Sequence, residues 1–108
     1  MKLNSKITFF NEGEVVLVMD QQEGRLNGGH NKQYIFTLFN SENKKLGTLD
    51  PELTRYCGYA RAVSHVGKTL LAIFPKLRLE IHSFHGNTTN VFKWTTREIE
   101  NCIKEQLG

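Results

Sequence analysis

Four histidines, His30, His65, His82 and His85, are the residues best suited to proton transfer. Two imidazoles acting as general acid and base, beside a lysine or arginine that stabilises a charged intermediate, would make a metal-independent ribonuclease. Their placement argues against it, because they fall on a loop, a helix, a strand and a turn respectively. His82 and His85 are three apart, which on a strand puts them on opposite faces, so shared metal ligation would need the chain to turn directly after His82. No third ligand stands at a recognisable spacing, and neither a metal nor a cofactor is expected. The sequence has no G-x-S-x-G, CxxC, H-E-x-x-H or dinucleotide fingerprint. Val66-Gly67-Lys68-Thr69 ends like a phosphate-binding loop, but Ala62 stands where the upstream glycine is required, and the segment falls inside a predicted helix. The glycine-rich stretch from Gly24 to Gly29 lacks the following helix that would make it a phosphate cradle. No catalytic residue is assigned.

Arg61, His65 and Lys68 are spaced four and three apart, so on a helix they project from one side, beside the small residues Gly58, Ala62 and Ala72. A basic stripe with small neighbours lets a partner approach closely and pairs with carboxylates or phosphates, and Arg55 or Lys76 would extend it. A solvated helix face gives the same pattern. A nucleic-acid binder would need a continuous basic surface joining these residues to Arg78. Tyr34, Phe36, Phe39, Phe84, Phe92 and Trp94 all lie on predicted strands. An exposed set of them, interleaved with Lys44, Arg78 and Lys93, would form a base-stacking platform, whereas core packing accounts for the same rings without it.

These side chains must be held by elements that the hydrophobic periodicity sets. Ile7 to Phe10 and Val15 to Met19 read as strands joined by the turn Asn11-Glu12-Gly13. The second is apolar at every position, which suits a central strand covered on both faces. Gln21 to Gln33, with Gly24, Gly28 and Gly29, reads as a long loop of the kind that often carries function. Tyr34 to Phe39 and Lys44 to Leu49 form a second hairpin around Asn40 to Asn43. Asp50-Pro51-Glu52-Leu53 is a helix start, with Asp as cap and Pro at the first helical position. Leu53, Tyr56, Cys57, Ala60, Val63, Gly67, Leu70, Leu71 and Phe74 then follow one stripe up to Pro75, predicting a single helix. A stop at Gly67 would instead leave Thr69 to Phe74 as a strand. Leu77, Leu79 and Ile81 alternate with polar residues as a half-buried strand, and Val91 to Trp94 is its partner. Thr95-Thr96-Arg97-Glu98 has the spacing of a capping box and opens a final helix.

The expected fold is α+β: a two-layer sandwich of an antiparallel sheet, with a long central helix and a C-terminal helix on one face, in the order ββββαββα, forming one domain over residues 1–108. The 108 residues contain 39% hydrophobic and 23% charged residues, enough for a packed core. Fourteen basic residues against eleven acidic give a formal charge of +3, a mild preference for anionic partners. No run approaches the roughly 18 apolar residues of a membrane span, and the N-terminus does not read as a secretory signal, so a cytoplasmic protein is expected. Cys57 and Cys102 occupy apolar helix positions, as free thiols do. The functional expectation is a non-enzymatic interaction module, acting as an inhibitor, an immunity or anti-defence factor or an accessory protein. Its binding residues would be Arg61, His65, Lys68, Arg55 and Arg78, and its partner a macromolecule, protein in preference to nucleic acid.

Overall fold

A computed structural model describes residues 2–25, 32–54 and 58–108. The described elements are β1 (Lys2–Asn11), β2 (Glu14–Arg25), β3 (Lys32–Phe39), β4 (Lys45–Thr48), α1 (Pro51–Thr54), α2 (Tyr59–Ile73), β5 (Leu77–His85), β6 (Thr88–Trp94) and α3 (Thr96–Leu107). The strands form one open antiparallel sheet in the order β4-β3-β2-β1-β5-β6. The α+β two-layer sandwich is therefore the architecture of the chain.

Alternation along the strands separates the two sheet faces. Cross-strand pairing sets Leu79, Phe9 and Leu17 side by side, and Ile81, Ile7, Met19 and Leu38 in the next row. These rows pack with Ala62, Val63 and Val66 of α2 and Ile99 of α3 in one core cluster, so both long helices lie on the same face. The intervening rows, Glu80-Thr8-Val18-Phe39 and His82-Lys6-Asp20-Thr37, point the other way. Thr37 is the only buried residue among them. Glu12 and Gly13 between β1 and β2 have φ of 50° and 85°. Positive φ at both central positions is what a type I′ hairpin turn demands, and glycine meets it without strain.

Three expectations need correction. β2 and β3 stay paired as far as Arg25 opposite Lys32, so the strands consume most of the expected Gln21–Gln33 loop, and residues 26–31 lie outside the described ones. The ladder is polar (Gln21, Gln22, Glu23 and Gln33 take part), which hides it from a reading based on apolar alternation. The apolar run Val15–Met19 is central but not covered on both faces. A register shift between Phe9 and Phe10 inserts Val16, which packs on the core beside Leu17, while Val15 and Val18 stay half-buried on the open side.

The segment after Asp50 is not one rod. Asp50 Oδ1 accepts from the Glu52 N–H at 3.0 Å and caps α1, whose Thr54 is buried and donates to the Tyr34 carbonyl at 3.5 Å. α2 starts afresh after Gly58, whose ψ of −172° is extended. Residues 55–57, including Arg55 and Cys57, lie outside the described ones. α2 then runs unbroken through Gly67 to Ile73, which places 69–73 in helix.

Gly67 costs about 1 kcal/mol in helix propensity, and packing explains its presence. A Cβ there would stand 3.1 Å from Ile99 Cγ2, so glycine lets α3 settle onto α2. One turn earlier, the buried Ser64 hydroxyl donates to the Ala60 carbonyl at 2.8 Å and lies 3.1 Å from the Cys102 carbonyl. Cys102 is a buried free thiol, as its apolar position implied. The capping box is complete: Thr95 Oγ1 accepts from the Glu98 N–H at 3.3 Å, and Glu98 Oε1 accepts from the Thr95 N–H at 3.1 Å. Such a cap contributes about 1 kcal/mol. Thr96 ties α3 to the sheet by donating to the Leu77 carbonyl at 2.6 Å. No helix among the described residues is long and apolar enough to cross a membrane.

Candidate functional site

α2 buries Ala62, Val63, Ser64, Val66 and Gly67, and this fixes where its other side chains go. Arg61, Lys68 and Ala72 are exposed and His65 is half-buried, all on one side of the helix. Arg61 and Lys68 are about 10 Å apart along the axis at 1.5 Å per residue. α2 carries no carboxylate of its own, and among the described residues neither cation makes an ion pair.

Beside this stripe lies a groove. It opens on the helix-bearing face where α2 stands over β2 and β3. A cavity of about 340 Å3 opens there, lined by Leu17, Leu38, Leu49, His65, Val66, Thr69 and Leu70. Five of those seven side chains are aliphatic. His65 belongs to both groove and stripe, so the apolar floor and the cationic rim form one surface. Sequence reading picks out the stripe but misses the groove, because Leu38, Leu49 and Leu70 look like ordinary core positions.

Arg78 is not part of this surface. It alternates with the buried Leu77 and Leu79 and projects from the opposite sheet face, so no continuous basic surface joins it to Arg61, His65 and Lys68. It instead borders two depressions, of about 370 and 420 Å3, that share Phe10 and Gly13. Lys76 and Lys93 line one each, but carboxylates stand among them. Glu12 meets Lys76 at 3.6 Å, and Glu80 meets His82 Nε2 at 3.2 Å. Two carboxylates thus offset part of the charge of Lys76, Arg78 and Lys93 at that end of the molecule, and its largely exposed pairs contribute little.

The expected aromatic platform does not assemble either. Phe36 is fully buried, Tyr34 packs on the core, and Trp94 meets Tyr59 edge-on at 6.1 Å between ring centres. Phe39 and Phe84 project from the open face, with strands β2 and β1 between them, and Phe92 lies on the helix-side row of the far edge. Nor do the described histidines converge. His65 is in the helix layer, His82 on the other sheet face, and His85 at the end of β5 with the opposite parity; His30 lies outside the described residues. No group of three metal-binding side chains exists among the described residues. Asp20 Oδ1 is shielded without a hydrogen-bond partner, yet one such oxygen between Lys6 and Thr37 makes no ligand set.

The fold and the surface together define an α+β sandwich with an apolar groove on its helix-bearing face and a basic helix beside it. Comparison with known protein families, curated proteins and solved structures finds no match.

Proposed function

We propose that this chain is a non-enzymatic interaction module that binds a protein partner, receiving an acidic and apolar segment of it on the α2 face. The observation that carries this reading is the aliphatic groove walled by a helix that bears Arg61, His65 and Lys68 and no carboxylate. Aliphatic side chains in the groove supply burial, and the unneutralised rim steers an anionic segment toward it and fixes its direction. Protein is favoured over nucleic acid because five of the seven groove-lining side chains are aliphatic and His65 is the one ring among them, which leaves no platform for stacking successive bases. Such a module works by occupying a surface, as inhibitors, immunity factors and accessory proteins do.

The test is affinity capture from the native cell with the wild type, with Arg61→Glu/Lys68→Glu, and with Thr69→Tyr, which plugs the groove from an exposed position. One defined protein is expected on the wild type. It should survive nuclease treatment, fall about tenfold or more with the charge reversal, and fall likewise with the plug. Capture that is unchanged by both variants would remove the α2 face as the site. Capture that vanishes on nuclease treatment would transfer the reading to nucleic acid.

A further inference from the structure

The two sheet edges differ in a way that points to a second copy of this chain. A strand edge exposes a row of unpaired backbone donors and acceptors, and proteins that stay monomeric blunt such edges with short strands, bulges, lysines or prolines. The β4 edge is blunted. It is four residues long, carries a register shift against β3, contains Gly47 at φ 147°, and begins with Lys45 preceded by Lys44, so its exposed Leu46 has no run of ladder beside it. The β6 edge carries only one of these devices, Lys93. It is seven residues long, pairs with β5 without any register shift, has no proline, and leaves Val91 and Phe92 49% and 47% exposed on its two sides.

The sequence of β6, Thr88-Thr89-Asn90-Val91-Phe92-Lys93-Trp94, is compatible with antiparallel pairing to itself. A two-fold axis normal to the sheet keeps residues of like parity on the same face, and full overlap of Thr88–Trp94 centres that axis on Val91. Val91 then meets Val91 of the second copy, and Phe92 meets Asn90. Lys93, the one charge on the strand, meets Thr89 and not the other Lys93. We propose that the chain forms a two-fold dimer through β6, merging the two sheets into one of twelve strands with both helix layers on one side. This surface lies at the opposite end of the sheet from the groove, so the dimer and the α2 site stand or fall separately.

Sedimentation of the full chain over a concentration series tests it. The wild type should approach twice the chain mass as concentration rises. Val91→Lys and Val91→Glu should each stay at the chain mass, because each sets like charges facing across the axis. An equimolar mixture of the two should regain the doubled mass, an outcome that a misfolded variant cannot give and that only pairing centred on Val91 provides. A wild type that remains at the chain mass up to its solubility limit, a doubled mass for either variant alone, or a mixture that fails to associate would each overturn the proposal.

Discussion

Phe9→Ala is expected to lower the free energy of unfolding by about 3–5 kcal/mol, while Phe10→Ala lowers it by about 1 kcal/mol or less. The two rings are neighbours in sequence and alike in chemistry, so the contrast isolates the direction in which each points. Phe9 is fully buried between Leu79 and Leu17 beneath the helices. Its removal deletes the burial of the ring and leaves a cavity that strands held on both sides cannot close. Phe10 is half-buried at the mouth of an open depression, where truncation mostly replaces one solvent boundary with another. For a domain of this size the Phe9 loss is a large fraction of the roughly 5–15 kcal/mol total. Urea unfolding of both variants checks it. Equal losses would mean that the two rings are equally buried and that the division into a covered and an open face is wrong.

Gly67→Leu is expected to cost about 2–3 kcal/mol or more, although leucine is the better helix former by about 1 kcal/mol. The gain is intrinsic to α2, and the loss arises where α3 rests on it. Even a bare Cβ would stand 3.1 Å from Ile99 Cγ2 and 3.7 Å from Ile103 Cδ1, and a leucine side chain has to displace α3 altogether. Ile99 cannot yield, since it is itself fully buried. Gly67→Ala sits near the balance point, with crowding set against propensity. The interaction is read by a double-mutant cycle with Ile99→Ala, in which the pair should be less destabilising than the sum of its singles by about 1 kcal/mol or more. Strict additivity would show that the helices do not meet at Gly67.

The parts of this fold that sequence reading recovers are those governed by local chemistry. Thr95 to Glu98 announces the start of α3 because both halves of a capping box lie within four residues, and Leu77, Leu79 and Ile81 announce a half-buried strand by their alternation. Arg61, His65 and Lys68 share a helix side by spacing alone. What sequence reading loses depends on pairing at a distance. The polar ends of β2 and β3 are strands because each backbone has the other as a partner, not because Gln21 to Arg25 favours the conformation. Arg78 reads as a binding residue alongside the helix stripe because a sequence does not tell which layer a charge on a strand will face. The groove is hidden for a related reason, since it forms between α2 and strands β2 and β3, whose approach no single residue sets.

The central position of β1 has a kinetic consequence. Its first neighbour, β2, follows after a two-residue turn, but its second, β5, begins only at Leu77, and the pairing brings Ser5 against Ser83. During synthesis the first four strands can form a meander early, while one flank of β1 stays unsatisfied until β5 has left the ribosome as well. Closing so long a loop must precede the reward of the contacts it makes, which places this sheet among slowly folding topologies. Refolding is expected on the scale of milliseconds to seconds, not microseconds, with β1–β5 association as the step that stopped-flow fluorescence of Trp94, at the far side of β5, would follow.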